Sequence, residues 1–394
     1  MPIINRIADF HDEMTAWRRD LHQHPELGLK EVRTSAFVQD KLRSFGVDEV
    51  VTGMARTGVV GVIRGRGAHA DEAGRAIGLR ADMDALPILE ETGAPHASTN
   101  PGVMHACGHD GHTTMLLGAA KYLAETRNFD GTAYVIFQPA EEVLGGGRMM
   151  VEEGLFHRFP MRQVFGMHNW PSAPEGMFLW RNGPVMAATA TIDVTVTGVG
   201  THGALPHRGI DPIVVASHIV TALQSVISRS IDPIAAGVVT IGEISAGNTY
   251  NVIPETVRMK GTARWFAPEV GERIEEGVKR LARGIAESFG AHAEVTYSRN
   301  YPTTVNDPEA TLFARRAAEA VAGEARVAEG QPTTGAEDFA FMLNAKQGSY
   351  IMLGAARTRN DPMLHHPKYD FNDAILPLGA SYWATLVEQN LPRQ

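Results

Sequence analysis

The sequence predicts an α/β fold in which a mainly parallel sheet carries helices and a ferredoxin-like domain is inserted. Two observations lead to this prediction. Short apolar runs alternate with segments of helical periodicity before residue 185 and after residue 299, which is typical of parallel sheets covered by helices. Between them the chain changes to strictly alternating strands in the order βαββαβ, the ferredoxin-like arrangement. We therefore expect one domain formed by residues 1–185 and 299–394, and an inserted domain formed by residues 186–298.

The first domain begins with two predicted helices. Ile7–His24 has apolar residues at helical spacing and stops before Pro25. A second helix is expected to start at Thr34 or Ser35 and to end at Gly46. The apolar runs that follow predict buried strands with one helix among them: strands Gly58–Ile63, Ala76–Leu79, Thr132–Gln138 and Val164–His168, and helix Thr113–Glu125.

The inserted domain is marked by a change of period near Met186. Thr191–Thr197 alternates strictly, which predicts a strand with one face in the core and the other in solvent. The elements expected after it are helix Pro212–Ile227, strands Val238–Ile244 and Val257–Trp265, helix Glu269–Phe289 and strand Ala293–Tyr297. The α/β alternation then resumes with helix Pro308–Ala322, strand Tyr350–Leu353 and a closing helix from Leu376.

The composition is that of an ordinary soluble globular protein. Of its 394 residues, 44% are apolar and 21% are charged. A net charge of -9 argues against binding to nucleic acid or to an anionic membrane. No uninterrupted apolar run reaches the ~18 residues that span a bilayer, and the N-terminus lacks a secretory apolar core. The single cysteine excludes an internal disulfide, so we expect a cytoplasmic protein.

The stretch His105–His112 contains three histidines and the only cysteine of the chain. In an extended segment, His105, Cys107 and His109 would share one face, whereas in a helix His105 and His109 would stack one turn apart. Either conformation brings a thiolate and an imidazole together, and this donor pair suits zinc, cobalt or nickel. The alternative is a structural cysteine in a turn rich in glycine and histidine. One thiolate and one imidazole do not complete a metal site, so the metal interpretation requires further ligands.

Further candidate ligands follow predicted strands elsewhere in the chain. Glu141 and Glu142 are adjacent carboxylates whose side chains diverge, so one can bind a metal while the other reaches a water molecule. His168 ends an apolar run, and His365 belongs to a His-His-Pro cluster. An acidic solvent loop and hydrogen-bonded histidines are the alternatives. Together with the first motif these residues are too few for two full coordination shells unless one ligand bridges.

These motifs resemble the M20 metallopeptidase family, specifically the amidohydrolase branch that includes hippurate hydrolase, N-acyl-amino-acid deacetylases and plant auxin-conjugate hydrolases. The resemblance extends over essentially the whole chain, including the inserted domain. The stretches that carry it are Arg80–Pro87, Met104–His112, Phe137–Glu142, Gly335–Phe339 and Leu364–Asp373.

The resemblance implies a site for two divalent ions per chain, which could be zinc, manganese, cobalt or nickel. In that site Cys107 bridges, His109 and His168 serve one ion, and Glu142 and His365 serve the other. Some neighbouring histidines match no ligand position and are expected to be supporting or surface residues: His105, His112 and His366.

The resemblance also implies roles for residues that bind no metal. Glu141 would be the general base, and Asp84 would orient a metal ligand. The inserted domain would be a lid and dimerisation domain, in which His202 contacts the substrate carbonyl, often across a homodimer. Asn251 and Arg264 match positions associated with the substrate carboxylate. The alternatives for these two residues are a turn-capping asparagine and an arginine on a solvent face.

The expected function is metal-dependent cleavage of N-acyl or N-aroyl amino acids, small-molecule substrates similar to hippurate, to a carboxylate and a free amino acid. Peptidases of the wider family have histidine where this chain has Asp82 and aspartate where it has Cys107, which favours acyl amino acids over peptides. A dipeptidase or aminopeptidase of the same fold is the second hypothesis. A non-catalytic metal or amino-acid binding protein is the third, and Glu141 argues against it because binding alone requires no base.

Overall fold

The computed structural model describes residues 3–67, 73–142 and 145–393. Its contacts divide the chain into two compact units. The first unit consists of Met1–Val185, Thr304–Pro332 and Glu337–Gln394, and the second consists of Met186–Thr303 and Thr333–Ala336. The residues just beyond 298 stay with the second unit because two backbone hydrogen bonds join Thr189 to Asn300 and Tyr301.

The helices and strands of the two units are numbered together in chain order. The helices are α1 (Asn5–Ala8), α2 (His11–Gln23), α3 (Val32–Ser44), α4 (His109–Thr126), α5 (Gly146–Glu152), α6 (Leu155–Arg158), α7 (Pro212–Ser230), α8 (Pro268–Ser288), α9 (Pro308–Ala322), α10 (Phe339–Ala345) and α11 (Leu376–Asn390). The strands are β1 (Glu49–Met54), β2 (Gly58–Arg64), β3 (Ala76–Asp82), β4 (Thr132–Gln138), β5 (Gln163–Pro174), β6 (Phe178–Trp180), β7 (Gly183–Met186), β8 (Ala188–Thr197), β9 (Thr201–His202), β10 (Gly237–Ala246), β11 (Val252–Ile253), β12 (Thr256–Trp265), β13 (His292–Arg299), β14 (Thr304–Asn306), β15 (Val327–Glu329) and β16 (Gly348–Ala356).

The first unit is organised around a sheet with the strand order β1-β2-β4-β3-β5-β16-β6-β15. Its central pairs, β4–β3, β3–β5 and β5–β16, are parallel, and so is β6–β15. The pairs β1–β2, β2–β4 and β6–β16 are antiparallel. The predicted mainly parallel sheet is therefore confirmed. The strands that sequence reasoning missed here, β1, β6 and β15, are short or largely exposed and so have no long apolar run.

The core of this unit lies where helices cover the central strands. Leu79, Phe137 and Phe165 of β3, β4 and β5 have no exposed surface, and neither have Met115 and Leu116 of α4. Each such side chain stabilises the fold by about 1.5–3 kcal/mol relative to leaving it in water. This packing holds β3, β4 and β5 parallel, with their carboxyl ends at the same edge of the sheet.

Two helices begin earlier than the sequence predicts. Helix α3 starts at Val32 because the carboxylate of Glu26 accepts hydrogen bonds from the N–H groups of Arg33 (3.0 Å) and Thr34 (2.8 Å). A distant carboxylate thus replaces the expected local cap. Helix α4 starts at His109, four residues before Thr113, because its first turn is polar but fully buried and gives no apolar period.

The second unit has the predicted ferredoxin-like topology. Its elements follow the order β8-α7-β10-β12-α8-β13, and its antiparallel sheet has the strand order β10-β12-β8-β13. Ile192, Val194 and Val196 of β8 are buried against α7 and α8, while the alternate residues of the strand are more exposed. The alternation seen in the sequence therefore reflects a sheet that is covered on one face.

Helix α7 is the one described helix that is long and apolar enough to cross a membrane by length and composition alone, with 19 residues and a mean hydropathy of 1.3. Val215, Ile219 and Leu223 of this helix pack into the core of the second unit. A core helix passes the same test, so the helix is weak evidence for a membrane span.

Candidate metal centre

The candidate ligands of the first unit gather at the carboxyl ends of its parallel strands. Asp82 ends β3, and Asp84 lies two residues beyond it. Glu141 and Glu142 follow β4, and His168 lies within β5. Open α/β sheets place ligands in the crevice beyond these strand ends, so the topology collects residues that are far apart in sequence.

The first donor group consists of Cys107, His109 and His168, whose donor atoms all lie within 4.8 Å of one another. The Cys107 Sγ lies 3.4 Å from the His168 Nε2. The Nδ1–H of His168 donates to the carbonyl oxygen of Asn169 at 2.6 Å, so its Nε2 keeps a free lone pair. Burial and the neighbouring His112 hold the pKa of His168 well below its usual value, which keeps the ring neutral as a metal ligand requires.

Helix α4 presents His109 from its first position. Gly108 precedes it with φ 90°, and an added Cβ would lie 2.5 Å from the Asn169 Nδ2, so only glycine fits there. The Nδ1–H of His109 donates to the Asp84 Oδ1 at 3.2 Å. This leaves the Nε2 buried without a hydrogen-bond partner in the part of the chain that the structure describes. An orphaned ring nitrogen of this kind is suited to bind a cation.

The surroundings of His109 favour positive charge. Burial lowers the pKa of this imidazole, but the carboxylates of Asp82, Asp84 and Glu142 outweigh burial and raise the pKa to about 10. A metal ion at the Nε2 would satisfy the same carboxylates.

The second donor group consists of Cys107, Glu142 and His365, again with donor atoms within 4.8 Å of one another. The Glu142 Oε1 is buried and has no hydrogen-bond partner among the described residues, and the His365 Nε2 lies 3.3 Å from it. His365 has φ 66°, a conformation that costs a non-glycine residue about 1–2 kcal/mol. Its N–H donates to the carbonyl oxygen of Ala106 at 2.8 Å, which holds the imidazole beside the first motif.

Cys107 belongs to both donor groups, so a single sulfur can face two cations. Burial and the carboxylates of Glu142, Glu141 and Asp82 hold the pKa of the thiol well above its usual value. A coordinated cation has the opposite effect and deprotonates a thiol outright. Thiolate, imidazole and carboxylate donors with orphaned buried atoms therefore fit divalent metal ions of the zinc, manganese, cobalt and nickel type.

Asp84 connects the two donor groups. Its Oδ1 accepts hydrogen bonds from the Nδ1–H of His109 and, at 3.0 Å, from the N–H of Glu141. Its Oδ2 accepts from the N–H of Glu142 at 3.0 Å. One carboxylate thus orients an imidazole and also the backbone that carries both glutamates, which is how outer residues fix metal ligands in place.

Glu141 lies beside the metal donors, since one of its carboxylate oxygens lies within 4.8 Å of a donor atom of His109 and of Glu142. It is only 6% exposed, and its Oε1 lies 3.4 Å from the N–H of Asp338. Burial and the carboxylates of Glu337, Glu142, Asp338 and Asp84 raise the pKa of Glu141 well above its usual value. A buried carboxylate with high proton affinity beside the donor groups is chemically able to act as a general base.

Further buried residues support these donors, among them His112, which the sequence predicts only as a supporting or surface residue. The Nδ1–H of His112 donates to the Asp82 Oδ1 at 2.6 Å, and the Nε2 of His112 accepts the N–H of Asn169 at 3.0 Å. Arg80 donates to the Asp82 Oδ2 at 2.7 Å. Burial raises the pKa of Asp82, but His109, His112 and Arg80 outweigh it and hold the pKa well below the usual value. The spacing of His109 and His112, one turn apart in a helix, was the available signal.

Two other histidines near the motifs lie outside the donor groups. His105 is buried, and neither of its ring nitrogens has a hydrogen-bond partner among the residues described. Burial lowers its pKa to about 4, so the ring is neutral. His366 is exposed, and its Nδ1 accepts the N–H of Lys368 at 3.0 Å.

The second unit contains the other three candidate residues, and the structure brings two of them together. The backbone of His202 in β9 pairs with Val252 in β11, next to Asn251. The His202 Nδ1 accepts the N–H of Ala204 at 3.0 Å, so the exposed ring presents its Nε2–H as a donor. Arg264 lies on a different sheet, in β12, and burial lowers the pKa of its guanidinium from the usual value.

A hydrolase of α/β architecture with a ferredoxin-like insertion and a buried metal centre is the class that this fold and site define. The sequence model of Peptidase family M20/M25/M40 matches residues 78–389. The chain belongs to this family, and the resemblance read from its motifs is confirmed.

Known relatives cover nearly the full chain. Hippurate hydrolase of Campylobacter jejuni is 41% identical over 387 residues, which are 98% of this chain and 98% of that protein. N-acetylcysteine deacetylase of Bacillus subtilis is 38% identical over 378 residues, 96% of each chain. The crystal structure of a dinuclear metal binding peptidase from the M20 family, also from Bacillus subtilis, has a TM-score of 0.83 and 34% identity, covering 98% of this chain and 100% of that chain.

Because Cys107 belongs to both donor groups, we can predict the effect of Cys107→Ser. Removal of a donor that faces both groups should release both ions, because neither group keeps three ligands. After dialysis, elemental analysis should find less than about one ion per chain. Two tightly held ions in the variant would show that Cys107 does not bridge.

Proposed function

We propose that the protein is a dinuclear metal-dependent amidohydrolase that cleaves N-acyl or N-aroyl amino acids to a carboxylate and a free amino acid. The observation that carries this proposal is the presence of Cys107 in two donor groups, with the buried Glu141 beside them. The full-length similarity to hippurate hydrolase and to N-acetylcysteine deacetylase supports the substrate class.

In this proposal Cys107, His109 and His168 would hold one divalent ion, and Cys107, Glu142 and His365 would hold the other. Bound ions of this kind polarise a carbonyl oxygen and lower the pKa of coordinated water. The orphaned His109 Nε2 and Glu142 Oε1 support the assignment, because these buried atoms have no hydrogen-bond partner among the described residues.

Glu141 would accept the proton of the attacking water and pass it to the leaving amine. Asp84 would keep this carboxylate in place through the N–H group that it accepts from Glu141. The diverging side chains of Glu141 and Glu142 thus divide two tasks between neighbours, one as a base and the other as a metal ligand.

Residues of the second unit would contact the substrate. The outward Nε2–H of His202 is suited to donate to the carbonyl oxygen as negative charge develops on it. Asn251 and Arg264 would bind the substrate carboxylate. No carboxylate among the described residues pairs with Arg264, so its guanidinium is available for this bond. The second unit would also mediate formation of a homodimer. The single cysteine, which excludes an internal disulfide, supports a cytoplasmic location.

A dipeptidase or aminopeptidase activity is the second candidate, since one matching structure is a peptidase of the same family. Asp82 favours the first candidate. The resemblance places a histidine at this position in peptidases of the wider family, whereas here the Asp82 carboxylate accepts hydrogen bonds from Arg80 and His112.

A substrate panel separates the two candidates. Metal-free enzyme reloaded with zinc, manganese, cobalt or nickel should hydrolyse hippurate and N-acetyl amino acids faster than unmodified dipeptides. Release of free amino acid, measured by a ninhydrin-type assay, reports every substrate on one scale. Higher kcat/KM on dipeptides than on acyl amino acids with every metal would favour the peptidase.

Glu141→Gln should keep the metal and lose the base. The amide side chain has nearly the same shape, so metal content should stay close to wild type. Turnover should fall by at least about a hundredfold, the lower limit for loss of a general base. Near-normal turnover at normal metal content would remove Glu141 from this role.

His202→Ala should reduce turnover by about two to three orders of magnitude, the usual effect of losing one donor to an oxyanion. Folding and metal content should not change. If the donor comes from a partner subunit, mixing this variant with Glu141→Gln should restore activity in exchanged dimers. Absence of recovery would confine His202 to its own chain, and unchanged turnover in the single variant would exclude the role.

A further inference from the structure

The turn after β4 is held by carboxylates at three consecutive N–H groups. Ala140 has φ 55°, a conformation that residues other than glycine seldom adopt. The N–H groups of Glu141 and Glu142 donate to Asp84, as described above. The N–H of Ala140 donates to the Oε1 of Glu31 at 2.9 Å. A second carboxylate, contributed from the N-terminal part of the chain, therefore completes the turn.

Burial and hydrogen bonds hold the Glu31 side chain beside the Ala140 N–H. Its side chain has no exposed surface, and its Oε2 accepts a hydrogen bond from the Thr57 hydroxyl at 2.7 Å. The two carboxylate oxygens thus each have a dedicated donor. Burial raises the pKa of Glu31 to about 6, and the hydrogen bonds from Thr57 and from the Ala140 N–H offset only part of this rise.

The segment before Glu31 also packs against the turn. Leu27 forms a parallel bridge with Ala85, and the N–H of Ala85 donates to the carbonyl oxygen of Glu26 at 2.9 Å. A Cβ added at Gly28 would lie 3.0 Å from the Cβ of Ala140, closer than side chains normally approach. The segment is therefore in van der Waals contact with the backbone that carries the glutamates.

We propose that Glu31 is a positioning residue, which holds Ala140 in its left-handed conformation and thereby orients the backbone that carries Glu141 and Glu142 beside the metal donors. The inference rests on the proposed function for what the two glutamates do. Without the acceptor, the buried N–H of Ala140 would have to rotate toward another partner. Rotation at Ala140 redirects the residues that follow it.

This role depends on the position of an oxygen atom and not on charge. A neutral variant that keeps the oxygen can therefore be compared with a charged variant that displaces it. Glu31→Gln keeps a carbonyl oxygen at the Ala140 N–H, and the Thr57 hydroxyl can accept from the new NH₂ group. Glu31→Asp keeps the charge but withdraws the carboxylate by one methylene. We expect the neutral glutamine variant to behave like wild type and the charged aspartate variant to lose function.

The first measurement is amide hydrogen exchange at residues 138–142 in the metal-free protein, which requires neither ions nor activity. Exchange at Ala140 should be at least about tenfold faster in Glu31→Asp than in wild type, as expected when a buried N–H loses its acceptor. Exchange in Glu31→Gln should match wild type.

The second measurement is metal content after dialysis together with kcat and KM. Glu31→Asp should retain about one ion, because Glu142 serves only one of the two positions, and kcat should fall with little change in KM. Glu26→Asp is the matched control: it shortens a carboxylate of the same segment that caps α3 and does not contact the turn. Its metal content and kcat should equal those of wild type.

The outcomes separate this inference from the proposed function. A wild type that binds no divalent ion would contradict the proposed function, while the exchange comparison would still test Glu31. Unchanged exchange and two retained ions in Glu31→Asp would overturn the positioning role, and so would equal losses in Glu31→Gln. If Glu31→Asp does not fold, Glu31→Gln carries the test alone. Wild-type exchange and two retained ions are then expected, and faster exchange at Ala140 or loss of an ion would overturn the role.

Discussion

The carboxylate of Asp84 is the interaction on which the metal centre depends. It joins three parts of the chain, since it follows β3, accepts from His109 at the start of α4, and accepts from the backbone of Glu141 and Glu142 after β4. These hydrogen bonds fix the orientation of the His109 imidazole and of the backbone that carries Glu141 and Glu142. The single buried carboxylate of Asp84 therefore fixes the candidate metal ligands that lie near the ends of the parallel strands.

A layer of paired charges lies beneath this centre. Arg80 is 1% exposed and donates to Asp82, Glu337 and Asp338, while Gln138 also donates to Asp338. Each buried charge costs several kcal/mol in lost hydration unless it is paired. The position of the Arg80 guanidinium is therefore fixed by its carboxylate partners. The layer connects β3 and β4 with the segment that leads into α10. It holds the backbone next to Glu141 in place through residues that are not among the five proposed metal ligands.

Local patterns predicted much of this arrangement. The apolar runs predict β3, β4, β5 and β16, and parallel strand ends explain why Asp84, Glu142 and His168 gather at one edge. The histidine-rich motif and the two glutamates were recognisable as possible donors from their chemistry alone. The sequence predicts His112 only as a supporting or surface residue, because a polar residue in the buried first turn of a helix gives no periodic signal. No local pattern points to Glu31, because its partners Thr57 and Ala140 lie 26 and 109 residues away. Glu26 caps α3 from seven and eight residues before its partners, outside the usual capping pattern.

The sequence by itself determined the fold class, the ferredoxin-like insertion, and the kinds of donor atom that are available. These follow from side-chain period and from the chemistry of single residues, which are local properties. Only the tertiary structure decided which ring nitrogen of each histidine is free, where the left-handed conformations of Ala140 and His365 place their neighbours, and which buried carboxylates hold them. Those outcomes depend on hydrogen bonds between residues distant in sequence, and no local pattern encodes such pairings.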